Sequence, residues 1–256
     1  MKTTLLTLLI AAACLLLSCP AFAQAIAEPS VAVTPVPRVE DRFTWWGERH
    51  AVKLAEADRG DAIQLVFIGD SITHGWEKAG AAIWDERFAP YGALNLGYSA
   101  DRTEHVLWRL GLGDAGEENN EIGGLAPKLF VVMIGTNNTG HGVCGPEDTA
   151  AGVTAIVDRL LEVAPQSDVL LLAVFPRAAG PDDPARLTNN QVNQRIAALD
   201  DRPNVEFVDL AEVFLDDDGT LPTSVMPDRL HPNEHGYRLW ADAITPVVER
   251  YLGEQP

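Results

Sequence analysis

Short apolar runs alternate with stretches of helical periodicity along this chain, and five of the runs read as β-strands. The run over residues 63–69 ends abruptly in Gly69-Asp70-Ser71. It has the length of a strand buried on both faces. Residues 93–97, 129–134, 169–175 and 205–208 are further short runs rich in apolar or β-branched side chains. Between them lie helical segments. Residues 43–57 carry Trp45, Trp46, Val52 and Leu54, which can cover one edge of the domain. Residues 103–110 have Asp101 and Glu104 placed as a capping-box variant. Val153, Ile156, Val157 and Leu160 follow helical spacing until Pro165 stops them. The last helix begins after Asn233, a residue suited to the N-cap, and Tyr237, Trp240, Ile244, Val247 and Tyr251 share one of its faces. Pro246 is expected to kink it. This alternation predicts right-handed crossovers and a parallel α/β sheet of about five strands with helices on both faces.

Composition narrows the picture. The chain has 256 residues, 46% of them hydrophobic and 22% charged, and shows no internal repeat, so one sizeable core and one domain are expected. Residues 1–23 read as a signal peptide: Lys2, an apolar core over 5–17, and Ala21-Phe22-Ala23 as a small-x-small cleavage site. The apolar core is too short for a membrane span. Leu16-Leu17-Ser18-Cys19 offers a rival, a bacterial lipobox that would make Cys19 a lipid anchor, although Leu17 and Pro20 fit it poorly. Residues 24–42, with Pro29, Pro35 and Pro37, read as a linker or arm, and 43–256 as the folded domain. Removal of the leader takes Cys14 and Cys19 with it and leaves Cys144 without a disulfide partner. The net charge of -18 argues against nucleic acid and against an anionic membrane surface.

The candidate chemistry begins with Ser71, at the carboxyl end of the first strand, where ligands bind in open α/β sheets. A serine nucleophile needs an imidazole to take its proton and a carboxylate to orient that imidazole. Asp228 and His231, three apart in a turn before the last helix, can meet side chain to side chain. Asn137, in Gly135-Thr136-Asn137-Asn138 after a strand, is suited to donate to an oxyanion, though the same residues suit an Asx turn. Taken singly, these signals are weak. Ser99 is a rival nucleophile, because Gly97-Tyr98-Ser99-Ala100 lies between strand and helix as a G-x-S-x-G elbow does, with Ala100 in place of the last glycine. Cys144 is a second. His74 is near Ser71 but has no obvious carboxylate partner, and His50, His105, His141 and His235 read as surface or packing residues. His231 and His235 have the spacing of helical metal ligands, but Pro232 intervenes and no third ligand stands out. Trp45 and Trp46 read either as core or as a platform for stacking sugars.

Together the blocks GDSI at 69–72, NLGYSADRTEHVLWRL at 95–110, GTNN at 135–138 and PDRLHPN at 227–233 resemble the successive sequence blocks of the GDSL, or SGNH, hydrolases. The resemblance is greatest to the platelet-activating-factor acetylhydrolase-like branch and its exported bacterial relatives, and it runs from about residue 63 to 251. It implies a flavodoxin-like three-layer α/β/α sandwich and an acyl-enzyme mechanism without metal or cofactor. Ser71 would be the nucleophile, His231 the base and then the acid, and Asp228 its orienting carboxylate. The oxyanion hole would comprise the Ser71 N–H, the Asn137 amide and the N–H of Ala100. That last position departs from the branch pattern Gly-x-x-Gly-Asp, since Ala100 replaces the second glycine. Where positive φ is required, alanine carries a steric penalty.

The resulting expectation is a periplasmic or extracellular esterase that removes short acyl groups, such as acetyl, from O-acetylated carbohydrate or a related small ester. A lysophospholipase- or thioesterase-like lipid acylhydrolase is one alternative. A non-catalytic carbohydrate-binding or envelope protein on the same fold is another. Asp182, Asp183 and residues 216–218 lie in loops expected to rim the crevice. Oligomeric state has no signature in the sequence.

Overall fold

All five apolar runs form strands, β1 (Leu65–Gly69), β2 (Leu94–Gly97), β3 (Leu129–Met133), β4 (Asp168–Leu172) and β5 (Val205–Val208). A computed structural model describes residues 29–255, so the expected signal peptide and Cys19 lie outside the described residues. The strands pair in parallel in the order β2-β1-β3-β4-β5. The chain therefore reverses its direction of travel across the sheet between β1 and β3. Loops leaving these two strands diverge to opposite faces, which opens a crevice at their carboxyl ends.

The helices are α1 (Trp45–Ala57), α2 (Ser71–His74), α3 (Ala81–Arg87), α4 (Thr103–Arg109), α5 (Thr136–Gly140), α6 (Pro146–Val163), α7 (Pro184–Ile196), α8 (Ala211–Phe214) and α9 (Glu234–Leu252). Strand periodicity sorts the core into two layers. Val66, Ile68, Leu94, Leu96, Phe130 and Val132 face α4, α6 and α7. Leu65, Phe67, Leu129, Val131 and Met133 face α2, α3, α8 and α9. On that second face Trp76 packs 4.6 Å from the Tyr237 ring and 4.8 Å from that of Trp240. Burying each such side chain contributes about 1.5–3 kcal/mol, and this aromatic floor lies beneath α2. The result is the α/β/α sandwich the alternation predicts. No helix among the described residues is long and apolar enough to cross a membrane.

Three local expectations differ from the structure. The run at 169–175 leaves the sheet after Leu172, because the Asn193 side chain accepts from Val174 N–H (2.8 Å) and donates to its carbonyl (2.9 Å) in place of a strand neighbour. The cap of α4 is not an Asp101–Glu104 box. His105 Nδ1 accepts from the N-cap Arg102 N–H (3.0 Å), while Asp101 is drawn inward by Trp46 Nε1 (2.7 Å) and Arg109 Nε (3.0 Å). Of the α1 residues expected to cover an edge, Trp46 is buried but Val52 stands in solvent. The expected cap of α9 is present: the Asn233 side chain accepts from Gly236 N–H (3.0 Å), and the helix extends through Pro246 to Leu252.

Candidate active site

Ser71 is placed by three local features. At the end of β1, a Cβ on Gly69 would lie 2.1 Å from Thr73 Oγ1 and 2.4 Å from the Met133 carbonyl oxygen, so only glycine lets α2 fold back over the strand. Asp70 then caps α2, its Oδ1 accepting from Ile72 N–H (2.9 Å). Finally, Tyr237 O–H donates to the Ile72 carbonyl (2.6 Å), tying α9 to the same turn. Ser71 becomes the first residue of the helix, where a backbone N–H has no partner within the helix and is free to face a ligand. Asp70 itself is fully buried with Oδ2 unpartnered, and burial pushes its carboxyl up to about 7 against the pull of the Ile72 N–H.

His231 and Asp228 reach Ser71 from the loop before α9. Ser71 Oγ lies 2.9 Å from His231 Nε2, and His231 Nδ1 lies 2.6 Å from Asp228 Oδ2. The other Asp228 oxygen accepts from the backbone N–H groups of Leu230 (3.0 Å) and His231 (2.7 Å), which closes the turn around the pair. Burial raises the Asp228 carboxyl, but the hydrogen bonds from His231 outweigh it and hold the group below the usual carboxylate range. The loop is pinned at both ends, by Asn233 Nδ2 donating to the Ser224 carbonyl (2.9 Å) and by Ala178 N–H donating to Arg229 (2.9 Å). Both side chains of the pair remain open to solvent, Asp228 at 56% exposure.

The other two expected donors, Ala100 and Asn137, follow the carboxyl ends of β2 and β3. Gly135, at φ 133, turns the chain from β3 into α5, and Asn137 lies in the first turn of that helix. Asn137 Nδ2 donates to the Asp101 carbonyl (2.9 Å); the amide's second hydrogen remains available. Neighbouring Asn138, which the sequence did not mark, clasps α4 instead. Its Oδ1 accepts from Thr103 N–H (3.1 Å), and its Nδ2 donates to Thr103 Oγ1 (2.9 Å) and Glu104 (3.1 Å). Ala100 has φ 65, so the left-handed conformation natural to glycine is present at the position where alanine replaces it.

Behind this loop runs a buried charged chain. Asp101, Arg109 and Glu121 are all fully buried, and Glu121 also accepts from Tyr98 O–H and lies 2.8 Å from His50 Nδ1. Burial raises the Asp101 carboxyl to about 6, against the opposing pull of Arg109 and Trp46. Such a chain, with most of its members satisfied, holds the loop in one arrangement. Sequence spacing could not reveal it, because its members come from α1, the loop between β2 and α4, α4 itself and the segment after α4.

The rival residues fall elsewhere. Ser99 Oγ is 2.9 Å from His74 Nδ1, not from His231. Cys144 Sγ sits against Asn138 Nδ2 (3.7 Å) and Thr149 Oγ1 (3.4 Å). Trp46 is core, stacked on His50; Trp45 is half-buried beside the His74 ring at 5.8 Å. His50 and His105 are buried, and His141 and His235 are exposed. The acidic loop residues form turns: Asp183 caps α7 by accepting from Ala185 N–H (2.9 Å), and Asp218 accepts from Thr220 N–H (2.9 Å).

A doubly wound parallel sheet with a serine–histidine–aspartate chain at its carboxyl edge defines a class, the α/β serine hydrolases. Within it, residues 67–239 match the GDSL-like lipase/acylhydrolase family, and the chain belongs to that family. It is 36% identical over 227 residues to human platelet-activating factor acetylhydrolase IB subunit alpha1, covering 88% of this chain and 92% of the human one. The alpha2 subunit from Gallus gallus is 35% identical over 193 residues, 75% of this chain and 79% of its own. Similar solved folds include a GDSL-like lipase from Bacteroides thetaiotaomicron (TM-score 0.63, 20% identity, 79% of this chain and 97% of that one). Another is an acetylxylan esterase from Geobacillus stearothermophilus (TM-score 0.55, 20% identity, 76% and 95%).

Proposed function

We propose that this acylhydrolase is an exported serine esterase that removes short acyl groups, acetyl above all, from O-acetylated carbohydrate or a related small ester. The observation that carries the chemistry is the unbroken chain from Ser71 Oγ to His231 Nε2 (2.9 Å) and from His231 Nδ1 to Asp228 Oδ2 (2.6 Å). Ser71 Oγ attacks the ester carbonyl carbon as His231 Nε2 takes its proton, and Asp228 stabilises the imidazolium. The oxyanion forms against the N–H groups of Ser71 and Ala100 and the free hydrogen of Asn137 Nδ2, each such donor being worth about 10²–10³ in turnover. As the carbon–oxygen bond to the alcohol breaks, His231 returns the proton to the leaving oxygen. The same imidazole then draws a proton from water, which attacks the acyl-enzyme and releases the acid and free Ser71.

Acetyl is favoured as the acyl group because it is shared by the names of the human relative and the Geobacillus esterase. Export rests on the leader pattern over residues 1–23. The word lipase in the names of the family and of the Bacteroides neighbour favours a second reading, a lipid ester as substrate. Hydrolysis of p-nitrophenyl esters from acetate to palmitate, with Ser71→Ala as control, separates the two. The proposal expects turnover confined to acetate and propionate and abolished in the variant. A maximum at long chains would move the reading to lipids, and Ser71→Ala with near wild-type turnover would end it.

A further inference from the structure

The proline-rich stretch before α1 lies against the domain, not away from it. Ala32 is fully buried, its carbonyl accepts from Thr103 Oγ1 (2.8 Å), and Val36 N–H donates to the Glu104 carbonyl (3.2 Å). At the end of this arm Arg38 turns inward. Its side chain is 0% exposed, its guanidinium carbon lies 3.6 Å from the centre of the Phe43 ring, and Nη1 donates to the Ala100 carbonyl. The remaining contacts are poor: His105 Nδ1 is 3.4 Å from Nη1, Glu40 is 3.5 Å from Nη2, and neither Nε nor Nη2 makes a hydrogen bond. A buried guanidinium is costly unless well paired. Here its principal acceptor is one backbone carbonyl.

That carbonyl belongs to the one residue of the oxyanion loop that is in an unfavourable conformation. Ala100 sits at φ 65, where its Cβ crowds the backbone. Beyond it the chain is anchored, since the Asp101 carboxylate is held by Trp46 and Arg109 and its carbonyl by Asn137. Among the described residues, Arg38 is the hydrogen-bond donor to Ala100 itself.

We propose that Arg38 is a positioning residue for the reaction: its hydrogen bond to the Ala100 carbonyl holds the 99–101 turn in the left-handed form that aims the Ala100 N–H at the oxyanion. This rests on the Ser71 mechanism above. A glycine at this position would adopt the turn without steric cost, so the dependence on Arg38 is a consequence of alanine.

The test is a double-mutant cycle on the full chain with p-nitrophenyl acetate, comparing Arg38→Met, Ala100→Gly and the double variant, with melting temperatures measured in parallel. Methionine keeps a flexible stem against Phe43 and removes the donor. Arg38→Met should lower kcat about tenfold and leave KM within about twofold, whereas in the Ala100→Gly background the same change should lower kcat no more than about twofold. A merely structural role predicts equal losses in both backgrounds that follow the melting temperature; that result, or an unchanged kcat in Arg38→Met, overturns the proposal. If Arg38→Met does not fold, Arg38→Lys replaces it in the same cycle, with a smaller kcat loss expected beside Ala100 and none in the Ala100→Gly background. Turnover surviving Ser71→Ala would overturn the underlying mechanism instead, and that outcome is read independently of the cycle.

Discussion

Two serine–histidine pairs lie side by side in this molecule, and by distance they cannot be told apart. Ser71 Oγ to His231 and Ser99 Oγ to His74 are each 2.9 Å. The third group separates them. His231 meets its serine through Nε2 and presents Nδ1 to Asp228 at 2.6 Å, whereas His74 meets Ser99 through Nδ1, which also accepts the Ser99 N–H (3.3 Å). The nearest carboxylate to His74 is Glu77, 3.9 Å away and already engaged by Arg49 (2.7 and 2.8 Å) and Lys53 (2.9 Å). Burial raises the Glu77 carboxyl, but those cations outweigh it and bring it down to about 2. Burial and then Arg49 lower the His74 imidazole to about 4, making it a poor base. A serine–histidine contact is therefore not in itself a nucleophile. What matters is a carboxylate aimed at the far ring nitrogen and free of other cations.

The largest way to break this comparison is to remove that carboxylate. Asp228→Asn should lower kcat on p-nitrophenyl acetate by about 10³–10⁴, and His231→Ala by at least as much. Near wild-type kcat in Asp228→Asn would mean that the third group is not what distinguishes the pairs. A smaller effect concerns the buried carboxyl beneath Ser71. The folded-state value of Asp70 is raised from 3.8 to about 7, so its contribution to stability is fully present below the lower value and is lost as pH rises through the upper one. Asp70→Asn, which keeps the cap to Ile72, should therefore gain stability relative to wild type by about 4 kcal/mol as pH rises from the lower value to the upper, measured by denaturant unfolding at a series of pH. A constant difference across that window would refute the shift. The smallest effect belongs to the second pair: Ser99→Ala should keep kcat within about twofold and cost about 1 kcal/mol of stability through the lost hydrogen bond. A loss comparable with that of Ser71→Ala would put the two pairs on an equal footing.

Much of this was legible locally. The strand ending at Gly69-Asp70-Ser71 and the Asp228–His231 spacing both rest on neighbours in sequence. So does the Asn233 cap: a strand run, a tight turn and a helix start each obey short-range rules. The α4 cap failed because Asp101, read as a local capping residue, is captured by Trp46 and Arg109 from elsewhere in the fold. Strand β4 is shorter than its apolar run because Asn193, on α7, takes over the backbone of Val174. Helices α3 and α7 carried weaker patterns and were not anticipated. Asn138, one position from an expected site residue, proved to be a clasp whose partners lie on α4, about 35 residues back in the chain.

Hydrophobic alternation is enough to indicate the sheet and its parallel sense, because burial imposes a period on the chain and turns demand particular residue types, while the set of residues suited to acyl transfer came from the resemblance of four sequence blocks to the GDSL hydrolases. The sandwich and the position of Ser71 at its crevice follow from that pattern and the handedness of crossovers. Which histidine meets which serine was decided by tertiary structure, since Ser71 and His231 are 160 residues apart and Ser99 and His74 are 25 apart. Packing also decided that Trp46 is core, that Asp70 is buried and that a proline-rich arm delivers Arg38 to Ala100. Electrostatic fate depends on burial and on partners drawn from distant segments, and neither has a period that a linear pattern can carry.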